Sequence, residues 1–67
     1  MNNRMLVRLI NNGGKMTSTA RGRKVVENHY NATLKRMSRA RGPHQRETLR
    51  REANAIAYAF NKATGQR

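Results

Sequence analysis

Apolar and small residues recur at helical spacing through the middle of the chain. They follow alternating steps of four and three residues, the spacing that turns one side of a helix toward a core. The residues at this spacing are Val26, Tyr30, Thr33, Met37 and Ala40, with Leu34 beside them. The pattern predicts a central helix over residues 17–41, with Thr17 or Ser18 as its N-cap and Gly42 at its C-terminal stop.

The same spacing returns after a short break. Its positions are Leu49, Ala53, Ile56, Phe60 and Ala63, with Ala57 alongside. Pro43 suits the first position of a helix, and Gly65 is typical of a C-cap. These signals predict a C-terminal helix over residues 43–64. Because Gly42-Pro43 leaves little room between the helices, we expect them to pack as an antiparallel hairpin.

The N-terminal segment, residues 1–16, fits two interpretations. As a helix it would be capped by Asn2 or Asn3 and would end at Gly13. As a strand it would alternate Met5, Val7 and Leu9 with outward residues, ahead of the turn residues 11–14. We favour the helix because strand signals in so short a run are ambiguous.

We therefore expect one small domain, residues 1–67, with an all-α fold. It would consist of a short N-terminal helix and an antiparallel helical hairpin. The alternative is an N-terminal β-strand or ribbon followed by two helices. A hairpin alone offers few large apolar side chains, so it needs a third layer. The small facet of Thr48, Ala55 and Ala59 would accept Met5, Leu6, Leu9 and Ile10. A homodimer or a partner protein would supply the same cover.

The net positive charge of the chain indicates a binding function. Fifteen Lys and Arg face three acidic residues, which gives a formal charge of +12 on 67 residues. Charge of one sign at this density opposes a compact state and attracts polyanions. Arg predominates, and its planar guanidinium binds phosphate through two parallel hydrogen bonds. A nucleic acid, DNA or RNA, is the expected partner, and an acidic protein surface is the alternative.

The cations concentrate on the polar face of the central helix. We call this face the basic stripe, and its members are Arg21, Lys24, Asn28, Asn31, Lys35 and Arg39. Its amides are of the type that pairs with base edges. Arg23, Arg36 and Arg41 flank the basic stripe and are further candidates. Arg46, Arg50 and Arg51 continue the positive charge around the hairpin turn. The last candidates are the outward-facing Tyr58 and its neighbour Lys62. Tyr58 would stack on a base or insert at a protein interface.

Catalysis and cofactor chemistry find little support in the sequence. The chain has no Cys and no Asp, and its two histidines, His29 and His44, lie far apart, so we expect no metal and no cofactor. Glu47 precedes Arg51 by one helical turn, which favours an ion pair, and Glu52 also has arginines close in sequence. With no acid–base or nucleophilic set in reach, we expect no enzyme.

The only apolar run, residues 5–10, is short and interrupted by Arg8, so we expect no membrane segment and a cytoplasmic location, in a cell or in a phage-infected host. Two functions remain. The first is a non-enzymatic nucleic-acid-binding protein that contacts phosphates with little sequence preference. The alternative is a small regulator or inhibitor, of the kind that phages encode, that docks on an acidic surface of a larger protein.

Overall fold

The computed structural model describes residues 2–12 and 15–65. Within these ranges the chain forms three helices, α1 (Asn3–Asn11), α2 (Ala20–Arg39) and α3 (Pro43–Thr64), and no strand. The all-α prediction with a short N-terminal helix is confirmed, and the strand alternative is wrong. Gly13, the predicted end of the first helix, lies outside the described residues.

Helix α1 begins where the sequence predicted, but it turns a different face inward. The Asn2 side chain caps it by accepting a hydrogen bond of 2.8 Å from the Met5 amide. The buried positions are Asn3, Leu6 and Ile10, whereas Met5 is 53% exposed and Leu9 is 38% exposed. The predicted burial of Met5 and Leu9 is therefore wrong. The polar Asn3, which is 9% exposed, lies in the middle of the buried arc and was not expected there.

Helix α2 begins later than predicted, at Ala20. Thr19 is the N-cap, and its hydroxyl accepts a 3.0 Å bond from the Gly22 amide. Thr17 and Ser18 belong instead to the preceding turn, because Thr17 is buried and the Ser18 hydroxyl donates to the Lys15 carbonyl. The turn folds so tightly onto the helix that a Cβ at Gly22 would overlap the carbonyl oxygen of Met16.

The two long helices pack through their predicted seams. On α2, Val26 and Thr33 are almost fully buried, and on α3 so are Ala53 and Ile56. Ala63 is exposed, contrary to prediction, because it lies in the last turn of α3, beyond the last large residue of the seam.

Helix α1 supplies the third layer by packing chiefly against α3. The core cluster joins all three helices through Leu6, Ile10, Val26, Ile56 and Ala59. Half-buried residues complete it, namely Val7, Met16, Val25, Tyr30 and Phe60. Only Ala59 of the predicted small facet is buried, whereas Thr48 and Ala55 stay exposed and line a groove together with Val7 of α1.

The residues between the two long helices cap the start of α3 and provide no glycine cap for the end of α2. Ala40 follows α2 with φ −67° and ψ 130°, and Gly42 is the N-cap of α3 at φ −104°. Gly42 was predicted to stop α2, but α2 ends at Arg39 and Gly42 caps α3 instead. Pro43 opens α3 as expected. Gly65 is the predicted C-cap, in the left-handed conformation at φ 76°.

Candidate functional site

The basic stripe forms one continuous exposed face of α2. All six of its residues are exposed. They lie opposite Val26 and Thr33, which face the core, and the stripe from Arg21 to Arg39 spans about 27 Å of helix axis. Because its inner face is taken by α3 and the core, α2 presents this row of cations and amides to solvent along its whole length.

Few carboxylates neutralise the basic stripe. The Lys24 ammonium lies 3.7 Å from a Glu27 carboxylate oxygen, and both side chains are mostly exposed. Such a surface pair contributes little and is screened by salt. In residues 2–12 and 15–65, no other cation of the stripe has a carboxylate oxygen within 4.0 Å. The stripe therefore retains most of its positive charge.

Two predicted binding arginines also hold the turns together. Arg23 donates a 3.0 Å bond to the Thr17 carbonyl, and Arg46 donates a 3.2 Å bond to the Ala40 carbonyl. Both remain exposed, as do Arg36 and Arg41. Arg23 lies on the side of α2 nearest Tyr30 and Phe60, away from the basic stripe, so its main contact is structural.

Glu47 partly neutralises the positive corner predicted at the hairpin turn. It pairs in a two-pronged way with Arg50, at 2.6 Å and 2.9 Å, while the predicted partner Arg51 lies at 3.4 Å. Hydrogen bonding to Arg50 lowers the pKa of Glu47, and the same contact raises the pKa of Arg50. Because two guanidiniums share this one carboxylate, the corner keeps a net positive charge.

The remaining predicted residues lie on the outer face of α3. Tyr58 is 70% exposed, with Arg51 and Lys62 on the same face. Because α2 and α3 turn their seams toward each other, their outer faces point in opposite directions. The structure therefore divides the predicted site into two surfaces, the basic stripe on α2 and an aromatic and cationic face on α3.

A buried polar junction connects all three helices, and sequence reasoning missed it. The Asn3 amide nitrogen donates to the Thr33 hydroxyl at 2.7 Å and to the Glu52 carboxylate at 2.9 Å. Asn3 Oδ1 lies 3.4 Å from His29 Nδ1, and Thr33 donates to the His29 carbonyl at 2.8 Å. Asn3 thus uses both ends of its amide. Glu52, which has arginines close in sequence, accepts its hydrogen bond from Asn3.

A groove opens at the hairpin end that α1 does not cover. Its volume is about 560 Å³, and its floor includes Ala40 and Leu49. Arg36, Arg39 and His44 stand around it. His44 is solvent-exposed, whereas His29 is half-buried at the Asn3 junction. The groove combines an apolar floor with a basic rim.

Metal-ligating side chains do not cluster within residues 2–12 and 15–65. This part of the chain holds no group of three His, Cys, Asp or Glu side chains able to bind a metal ion. It also has no helix that is both long and apolar enough to cross a membrane. Comparison with models of known families, with curated proteins and with solved structures finds no match to this chain.

Proposed function

We propose that this protein is a non-enzymatic nucleic-acid-binding protein whose basic stripe contacts phosphates largely independently of sequence. The observation that carries the proposal is the exposed, nearly carboxylate-free row of cations along α2. Phosphate contacts release counterions from the nucleic acid, and this release supplies affinity without reading sequence. A cytoplasmic location in a cell or an infected host suits such a function.

The decisive test is the salt dependence of binding to a generic 20-base-pair duplex. We expect log K to fall linearly with log salt, with a slope of several units, because each neutralised phosphate contributes roughly −0.9. The stripe variant Lys24→Glu, Lys35→Glu, Arg39→Glu should bind at least about tenfold more weakly at the same salt concentration.

A matched control separates the stripe from net charge. Arg4→Glu, Arg8→Glu, Lys62→Glu makes the same change in charge at exposed positions on α1 and α3. Circular dichroism should show both variants helical. If the control loses as much affinity as the stripe variant, binding is carried by overall charge or by the α3 face that includes Lys62, and not by the stripe. If the wild-type protein binds no duplex at about 0.15 M salt, the proposal is wrong.

A second candidate function is a regulator that docks on an acidic surface of a larger protein. The hairpin-end groove favours it, because an apolar floor ringed by Arg36, Arg39 and His44 suits an acidic amphipathic partner. Affinity purification with and without nuclease separates the two candidates. A protein retained stoichiometrically after nuclease treatment, and lost in Leu49→Asp, would favour the regulator; loss of all partners with nuclease would favour nucleic acid.

A further inference from the structure

The basic stripe is graded by side-chain length. Short residues occupy its middle, since Asn28 and Asn31 are exposed there with Ala32 beside them. Long cations occupy both ends. Measured along the axis from the midpoint between the two amides, Lys24 and Lys35 each lie about 8 Å away, and Arg21 and Arg39 about 13 to 14 Å away. The stripe is therefore nearly symmetrical about its pair of amides.

This gradation fits the major groove of a DNA duplex. An α-helix with its side chains is about 10–12 Å across, and the major groove of B-DNA is about 12 Å wide. A straight helix laid along a groove that winds around a duplex lies deepest at its midpoint. Short side chains at the midpoint let the helix approach the base edges, while long cations at its ends span the larger gap to the phosphates.

We infer that α2 binds in the major groove of B-form DNA, with Asn28 and Asn31 pairing to adenine and the flanking cations contacting phosphates. A side-chain amide pairs bidentately with N6 and N7 of adenine. The partner is DNA rather than RNA because the major groove of an RNA duplex is too deep and narrow for side chains to read. This inference rests on the proposed function and adds to it a modest preference for A·T base pairs.

The rest of the molecule leaves this approach open. The basic stripe lies opposite the buried face of α2, so neither α1 nor α3 blocks it. Glu27 pairs with Lys24 at the flank of the stripe rather than between the two amides. The outer face of α3 also carries exposed amides, Asn54 and Asn61, but the bulky Tyr58 lies between them. At one end of that face Arg51 shares the Glu47 carboxylate.

The test compares three duplexes of 20 base pairs at one salt concentration. The first is rich in mixed A·T sequence, the second is G·C-rich, and the third is the A·T duplex with 7-deazaadenine, which lacks N7 but still pairs with thymine. We expect the A·T duplex to bind at least about fivefold tighter than either of the others, the discrimination of one good bidentate contact.

Two variants assign the effect to the amides. Asn28→Ala, Asn31→Ala should bind all three duplexes with equal affinity. The matched control Asn54→Ala, Asn61→Ala, with amides removed from α3, should keep the preference. Circular dichroism should show both variants as helical as the wild type, since alanine favours helix.

The outcomes separate this inference from the proposed function. Steep salt dependence with equal affinity for the three duplexes would overturn groove reading and leave phosphate binding intact. A preference for A·T that survives 7-deazaadenine would overturn it as well, because the contact would then not involve N7. An RNA duplex bound as tightly as the A·T DNA would also overturn it. Absence of binding to any duplex would remove the proposed function itself.

Discussion

Asn3 shows how one side chain sets the position of a helix. As an amide near a helix start, it is a natural cap by sequence, but Asn2 takes that role and Asn3 turns inward. A buried amide is stable only when its polar atoms find partners. Thr33 and Glu52 accept from its nitrogen at 2.7 Å and 2.9 Å, from two different helices. Asn3 therefore fixes how α1 is rotated against the hairpin.

Removing this amide should destabilise the fold measurably. Asn3→Ala takes the partner from Thr33 and Glu52 in a partly buried site, and we expect a loss of about 1–3 kcal/mol in the free energy of unfolding. Urea denaturation followed by circular dichroism measures it. Asn11→Ala, at an exposed position of the same helix, is the matched control and should change stability by less than about 0.5 kcal/mol. Equal stability of the two variants would show that the junction is energetically unimportant.

Gly22 is the other residue whose role depends on tertiary structure. Its local effect is to weaken the helix, since glycine has low helix propensity. In the fold it makes room for the Met16 carbonyl, and an added Cβ would overlap that oxygen. We expect Gly22→Ala to lower the free energy of unfolding by about 1–3 kcal/mol, as overpacking does, despite alanine's better propensity.

Gly42 provides the contrast in the same measurement. Nothing lies within 4 Å of a Cβ built there, and its φ of −104° suits any residue. Gly42→Ser should be neutral or stabilising by up to about 1 kcal/mol, because serine caps helices and restricts the unfolded chain. Stabilisation by Gly22→Ala in urea denaturation would mean that the turn before α2 moves away from the helix at little cost.

At the scale of the helices, the local sequence pattern predicted which helices form better than it predicted which face of each helix is buried. The seams around Val26 and Ile56 identified α2 and α3, because a spacing of three and four residues depends on the sequence alone. The rotation of α1 did not follow from its apolar residues. Leu9 and Leu6 are equally apolar, yet only Leu6 is buried, because Asn3 and Val7 share its arc. The N-cap of α2 was also predicted at the wrong residue. Three hydroxyl residues stand in a row before this helix, and each is equally suited to cap it by its local sequence alone.

The first turns of α3 should respond to acid through Glu47. Its pKa in the folded protein is lowered below the ordinary 4.5, mainly by hydrogen bonding to Arg50. A lowered folded pKa means that the carboxylate contributes stability above the unfolded pKa, and that this contribution is lost as pH falls from about 4.5 through the lower folded value. We expect Glu47→Gln to lose less stability than the wild type between pH 6 and pH 3, measured by thermal unfolding. Parallel curves for the two proteins would show that the pair contributes nothing.

For the whole molecule, the distribution of charge matters more than its total. The three glutamates pair with Lys24, with Arg50 and Arg51, and with Asn3, so two acids screen exposed cations and one serves the interior. Lys35 and Arg39, one turn apart on α2, have no carboxylate within 4.0 Å in the described ranges. Like charges at this spacing destabilise a helix. The fold thus retains repulsion on the surface proposed to bind phosphates.

This repulsion predicts an unusual response to salt. Raising sodium chloride from 0.02 to 0.5 M should increase Tm, because the Debye length shortens and repulsion between cations is screened. A gain of about 1 kcal/mol corresponds to roughly 4–8 °C in a domain of this size. Lys24→Gln, Lys35→Gln, Arg39→Gln should raise Tm at low salt and flatten the dependence, whereas neutralising Arg4, Arg8 and Lys62 on the other helices should flatten it less. A Tm that falls with salt would show that the few ion pairs outweigh the repulsion.

If the repulsion is present, a polyanion that neutralises the basic stripe would stabilise the fold as it binds. Binding of the polyanion would then be coupled directly to folding.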